Sequence, residues 1–109
     1  MSFVTAINCM DGRVQLPVNK YIMDKYAVKY VDMITVAGAD GTIAENQDES
    51  ILINIHKRIH ISLNKHGSKV IVIVGHADCA GYPVSDEKHF ESIKKSAAEM
   101  HEKYPDVIV

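Results

Sequence analysis

The chain contains three short apolar runs that are typical of buried strands. They occupy residues 3–8, 30–36 and 69–74 and are rich in β-branched side chains. The third run is apolar at successive positions, which is expected of a central parallel strand that is covered on both faces. Residues 106–109 predict the beginning of a fourth strand.

Between and after these runs the apolar positions recur every three to four residues, which predicts three helices. The first has apolar residues at every fourth position over 18–26, and Pro17 suits its first turn. The second spans about residues 46–65, and the third begins at Ser85 or Asp86, either of which could cap it. The expected inward face of the third helix consists of Phe90, Ile93, Ala97, Met100 and Tyr104.

The order of these elements predicts the fold class. Strands that alternate with helices pair in parallel through right-handed crossover connections. We therefore expect a single α/β domain over residues 1–109, with three layers and a central, mostly parallel sheet of about four strands flanked by helices. In such sheets, ligands bind beyond the C-terminal ends of the strands.

Composition narrows the class of protein. A hydrophobic share of 47% excludes disordered and fibrous proteins. Twelve Lys+Arg against fourteen Asp+Glu give a net charge of −2, which argues against nucleic acid bound by bulk charge. No apolar run approaches the ~20 residues that a membrane helix needs. The first residues lack a basic segment followed by a long apolar one, so we expect a cytoplasmic protein with its cysteines as thiols.

The candidate chemistry lies in loops that follow the predicted strands. Cys9 and Asp11 come after the first strand, and His76 and Cys79 come after the third. Two thiolates and one imidazole are ligands that zinc prefers, and three protein ligands leave a fourth tetrahedral position. Asp11 either ligates the zinc or pairs with Arg13 and leaves that position to water.

The same residues also have structural interpretations. Free cysteines are commonly small buried apolar residues, and an Asp11–Arg13 ion pair at the surface contributes little stability. Asp40 and Asp78 are interpreted as turn residues that satisfy nearby backbone N–H groups. The combination of both cysteines with a histidine, an aspartate and an arginine in one pattern favours the zinc site.

The pattern Cys9-x-Asp11-x-Arg13, followed by Gly-His76-x-x-Cys79, resembles the zinc signature of the β-class carbonic anhydrases. The resemblance covers most of the chain and includes the order of strands and helices. It implies that Cys9, His76 and Cys79 bind Zn²⁺. It also implies that Asp11 is the fourth ligand or the acceptor for zinc-bound water, and that Arg13 orients Asp11.

The resemblance further implies a function and partners. The expected activity is that of a carbonate dehydratase, which hydrates CO₂ reversibly to hydrogen carbonate by zinc-bound hydroxide. The expected partners are a small-molecule substrate and further copies of the chain, in a homodimer or higher homo-oligomer. Ile53 and Ile61, which lie off the main apolar stripe of the second helix, could form that interface.

Two alternative functions share the motif. One is a zinc hydrolase of carbonyl sulfide or carbon disulfide, and the other is a non-catalytic zinc-binding protein. We expect neither a nucleic acid nor a membrane as a partner.

Overall fold

The computed structural model describes residues 1–109 and contains a parallel sheet with helices on both faces. The strands are β1 (Phe3–Cys9), β2 (Tyr30–Val36) and β3 (Ile71–Ile73), in the sheet order β2-β1-β3. The helices are α1 (Gln15–Tyr26), α2 (Ala39–Glu45), α3 (Glu49–Asn64) and α4 (Asp86–Lys103), and a 3-10 turn (Gly12–Val14) precedes α1. The α/β class is therefore confirmed. None of the helices combines the length and the apolar character needed to cross a bilayer.

The central strand, β1, separates two apolar clusters. Its side chains alternate, so that Ile7 packs with residues of α2, α3 and α4, whereas Val4 and Ala6 pack with Ile22 of α1. All three β1 residues are fully buried. Burial of an isoleucine side chain contributes about 1.5–3 kcal/mol relative to exposure. The two clusters hold helices on opposite faces, as the predicted three layers require.

The parallel register brings the C-terminal ends of the strands to one edge of the sheet. Ile7 is paired with Ile34 of β2 and with Ile73 of β3, and Cys9 is paired with Val36. The loops that carry the candidate chemistry therefore begin side by side.

The sheet has three strands, whereas about four were predicted. Residues 106–109 make only one parallel bridge, between Ile108 and Val70, in which the Ile71 N–H donates to the Ile108 carbonyl at 2.8 Å. The preceding residues form a turn, closed by the Val107 N–H and the Tyr104 carbonyl at 3.1 Å. Pairing therefore begins too late in this segment to form a strand.

A short helix, α2, occupies the segment in which Asp40 was interpreted as a turn residue. Gly38, with φ of 62°, precedes it, and Asn46, with φ of 52°, ends it. Gly41 lowers the helix propensity of this segment. A Cβ atom at position 41 would lie 2.5 Å from the Tyr82 ring, so tertiary packing requires the glycine there. The next helix consequently begins at Glu49 and not near residue 46.

The last helix begins at Asp86, as predicted, with Ser85 as its N-cap. Its predicted inward stripe is wrong at Phe90, which is 63% exposed. The Ser96 Oγ donates to the Asp40 carbonyl at 3.0 Å, so polar contacts with α2 help to set the rotation of α4. The buried residues of the helix are His89, Ser92, Ser96 and Met100.

Candidate metal centre

Two thiols and one imidazole meet beyond the C-terminal ends of β1 and β3. Cys9 is the last residue of β1, whereas His76 and Cys79 lie in the loop after β3. The two Sγ atoms are 3.8 Å apart, and the candidate ligand atoms of all three residues lie within 4.8 Å of one another. Both cysteines are free and buried. The structure thus brings together three residues that could hold a metal ion.

A hydrogen bond from the His76 ring to the backbone orients the ring for metal binding. Its Nδ1–H donates to the Ala77 carbonyl at 2.8 Å, which leaves a lone pair on Nε2 in the neutral ring. Nε2 is buried and has no hydrogen-bonding partner. Metal-bound histidines almost always donate their other N–H in this way. An unpartnered imidazole nitrogen beside two free thiols therefore fits a metal ion.

The two thiols differ in their electrostatic surroundings. Burial raises the pKa of the Cys9 thiol. The backbone N–H groups of Gly38 and Asp11 and the side chains of His76 and Cys79 outweigh this effect and lower the pKa to about 7. The Gly38 N–H lies 3.4 Å from the Cys9 Sγ. Burial, reinforced by the contact with Cys9, raises the pKa of the Cys79 thiol. Cys9 is therefore the thiol that supplies a thiolate most readily near neutral pH.

Asp11 forms an ion pair with Arg13 and is not part of the cluster of two thiols and one imidazole. Arg13 donates from Nε to the Asp11 Oδ1 at 3.0 Å and from Nη2 to its Oδ2 at 2.6 Å. The Arg13 backbone N–H also donates to Oδ1, at 2.9 Å. These contacts hold the pKa of the Asp11 carboxyl well below its usual range. Of the two arrangements considered for Asp11, the structure has the carboxylate–guanidinium pair.

Arg13 also connects the two loops that carry the cysteines. Its Nη1 donates to the Asp78 carboxylate at 3.2 Å, and its Nη2 donates to the Asp78 carbonyl at 3.0 Å. Asp78, which was interpreted as a simple turn residue, thus has a role that its sequence position does not reveal. Only the proximity of the loops after β1 and β3 could have indicated this contact.

A comparison with known protein families identifies the family of this chain. A family model described as "Putative carbonic anhydrase" matches residues 1–109, which is the whole chain. The chain belongs to this carbonic anhydrase family. No curated protein and no solved structure matches it. The family identified from the sequence is therefore confirmed.

This member of the carbonic anhydrase family has a cleft of about 250 Å³ that is lined by His76, one of the three candidate metal ligands. One wall comes from the loop after β3 and includes His76, and the other comes from α4 and includes His89. His89 pairs with the buried Asp40, 49 positions away in sequence. The sequence analysis missed this pair, because no periodicity or motif connects a turn aspartate with a distant helical histidine.

Proposed function

We propose that this protein is a zinc-dependent carbonate dehydratase, which hydrates CO₂ reversibly to hydrogen carbonate. The observation that carries the proposal is the assembly of Cys9, His76 and Cys79 next to an aspartate held by Arg13, in a chain of the carbonic anhydrase family. Each part of this arrangement corresponds to one requirement of the reaction.

Zinc is the metal that this donor set favours. Two thiolates offset the charge of the divalent ion, and three protein ligands leave one tetrahedral position open. When bound, zinc supplies a Lewis acid that makes water nucleophilic near neutral pH. We place the protein in the cytoplasm, where reducing conditions keep Cys9 and Cys79 from forming a disulfide.

Asp11 orients the attacking water in this proposal. A carboxylate has about four lone-pair sites, and Arg13 occupies only part of them while keeping the group ionised. A remaining site accepts a hydrogen bond from the water and directs its oxygen toward the carbon of CO₂. A C–O bond then forms, one O–H bond of the water breaks, and the proton leaves to solvent. Contacts with Asp78 hold Arg13, and through it Asp11, in place.

The replacement Asp11→Asn tests the role of the carboxylate. We expect the kcat for CO₂ hydration to fall about 100-fold or more, because oriented proton acceptors contribute factors of that size. The zinc content should not change, since Cys9, His76 and Cys79 are intact. Stopped-flow measurement of CO₂ hydration, with zinc analysis of the same samples, gives both values.

The matched control is Asp24→Asn, which makes the same change at an exposed position of α1. Full activity is expected for this variant. Equal activity of the Asp11 and Asp24 variants would contradict the proposed role of Asp11.

The substrate is tested with the zinc-loaded wild-type protein. Hydration of CO₂ well above the rate with free zinc in buffer is the expected result. Hydrolysis of carbonyl sulfide or carbon disulfide without CO₂ hydration would contradict the proposed substrate. Zinc binding without turnover of any of these molecules would assign a non-catalytic zinc protein.

We also propose that two copies of the chain associate through an apolar face of α3. Ile53 and Ile61 on this helix are 51% and 53% exposed. Analytical ultracentrifugation should show a species of twice the 12.1 kDa chain mass, and Ile53→Ser combined with Ile61→Ser should shift it toward the single chain. A wild-type protein that sediments only as a single chain would contradict this association.

A further inference from the structure

A groove of about 590 Å³ lies at the edge of the sheet opposite to the candidate metal centre. Its walls come from the C-terminal ends of α3 and α4, from the segment before β3 and from the segment after α4. Because the strands are parallel, residues that precede β3 lie far from those that follow it, such as His76 and Cys79. Small-molecule sites typically have volumes of about 300–1,000 Å³, so the groove is large enough for an organic ligand.

The groove concentrates positive charge in a chain whose net charge is −2. Lys69 and Lys103 both line it, and Asp106 is the one carboxylate among the lining residues. Neither lysine takes part in any of the five ion pairs of the structure. Two ammonium groups that share a groove without an ion-pair partner repel each other, so an anion between them is stabilised by both.

Two histidines of α3 are affected by this charge or add to it. Burial lowers the pKa of His56, and the nearby charges of Lys103 and His60 lower this pKa further. His60 lines the groove, and the Asn64 Nδ2 donates to the His60 Nδ1 at 3.4 Å. The hydrogen of the neutral His60 ring therefore lies on Nε2, which makes His60 a further hydrogen-bond donor for an anion.

Hydrogen bonds hold the walls of the groove in place. The Tyr104 hydroxyl and the His56 Nδ1 are hydrogen-bonded at 2.7 Å, which connects the end of α4 to α3. The Ile108 N–H donates to the Lys69 carbonyl at 3.0 Å, which fixes the segment after α4 beside the start of β3. Because the backbone of these walls is already ordered, a ligand needs to order little more than the two lysine side chains.

The apolar part of the lining indicates what else the ligand contains. Leu63 and Val107 are partly buried and pack against the main apolar cluster, and Tyr104 is 8% exposed. These three are the apolar residues that line the groove. A ligand with an anionic group and an apolar group would therefore contact both parts of the lining.

The number of ammonium groups favours a phosphate over a carboxylate. A phosphate monoester carries a charge of about −1.5 to −2 at pH 7 and has three strong acceptor oxygens. A carboxylate carries only one negative charge and is best matched by a planar guanidinium. Lysine commonly binds phosphate as a point charge, so two lysines suit one phosphate dianion.

We infer that this groove binds an organic phosphate monoester, with its phosphate between Lys69 and Lys103. The apolar part of the ligand lies against Leu63, Tyr104 and Val107. This binding site is distinct from the candidate metal centre and does not depend on the proposed activity.

Phenyl phosphate is the probe for this site, added to the zinc-loaded wild-type protein with ¹⁵N-labelled backbone. Saturable NMR shifts are expected for the amides of residues 68, 69, 103 and 104, whereas the amides of the loop over residues 75–81 should not move. Inorganic phosphate lacks the apolar group and benzoate has a single charge, so both should bind more weakly. The absence of saturable shifts in the groove would overturn the inference, as would equally tight binding of either comparison compound.

Substitution provides a second measurement. Lys69→Gln combined with Lys103→Gln should raise the dissociation constant for phenyl phosphate about tenfold or more, because two favourable charge contacts are lost. Both lysines are exposed, so the fold should tolerate the change. The matched control is Lys94→Gln combined with Lys95→Gln, which removes the same charge from exposed positions of α4 outside the groove. Equally tight binding by these two double variants would overturn the inference.

Discussion

Replacing Cys79 by serine is expected to remove the metal from the purified protein. The zinc content should fall from about one ion per chain to nearly none after dialysis against a chelator. A serine hydroxyl does not ionise near neutral pH and is a poor match for zinc, so only Cys9 and His76 would remain as donors. Structural zinc sites bind with apparent free energies of about 10–16 kcal/mol. Because only three protein donors supply this free energy here, removal of one of them should weaken zinc binding strongly.

The activity of Cys79→Ser should fall to the background rate of CO₂ hydration. Zinc analysis and stopped-flow assay of the same preparation measure both losses, and circular dichroism shows whether the variant is folded. Ala80→Ser is the matched control, since it introduces a hydroxyl at the adjacent exposed position without removing a donor. Retention of one zinc ion per chain in a folded Cys79→Ser protein would refute the proposed metal centre.

Replacing Gly38 by alanine is expected to destabilise the fold more than the same change at Gly67. Both glycines have positive φ, 62° and 71°. At Gly38, however, an added Cβ would lie 2.7 Å from the Tyr82 Cβ and 2.8 Å from the backbone carbonyl carbon of Gly81, whereas at Gly67 nothing lies within 4 Å. The two substitutions therefore share the conformational cost and differ in the steric one.

The expected losses in the free energy of unfolding follow from these two costs. Gly67→Ala should lose about 1–2 kcal/mol, the cost of left-handed backbone for a residue with a Cβ atom. Gly38→Ala should lose about 3 kcal/mol or more, because overpacking against backbone adds about 1–3 kcal/mol. Urea denaturation of the two variants and the wild type measures both values. Equal losses would show that the contact with Gly81 is unimportant.

Gly38→Ala should also weaken zinc binding, whereas Gly67→Ala should not. The Gly38 N–H donates to the Cys9 Sγ at 3.4 Å, and Gly81 lies two residues after Cys79. A displacement at this contact would change the relative positions of the two thiols. Competition with a chromogenic chelator gives the zinc affinity of each variant.

Local periodicity was sufficient to predict most of the secondary structure. The strands come from short apolar runs, and β1 and β2 lie where these runs predicted them, within a residue. The start of α4 was predictable because Ser85 is a good N-cap, and its Oγ accepts from the Lys88 N–H at 3.2 Å. These features depend on neighbouring residues alone, so the sequence contains the information directly.

Features that depend on distant contacts were not predictable. The helix α2 contains Gly41, a poor helix former, and is held there by packing against Tyr82. The rotation of α4 follows contacts with Asp40, so that His89 is buried and Phe90 is exposed, against the hydrophobic pattern. Polar pairing of this kind overrides an apolar stripe, because leaving Asp40 buried without a partner would cost more than exposing one phenylalanine.

The sequence by itself determined the α/β class, the family and the set of candidate donors, because periodicity and residue type are local properties. The tertiary structure alone decided how these residues meet. It brought the candidate ligand atoms of Cys9, His76 and Cys79 within 4.8 Å of one another, and it paired the Asp11 carboxylate with the Arg13 guanidinium. It also placed the Asp40–His89 pair beside the cleft. The physical reason is that distances between side chains from different strands and helices depend on sheet register and helix packing, which no single segment of the chain specifies.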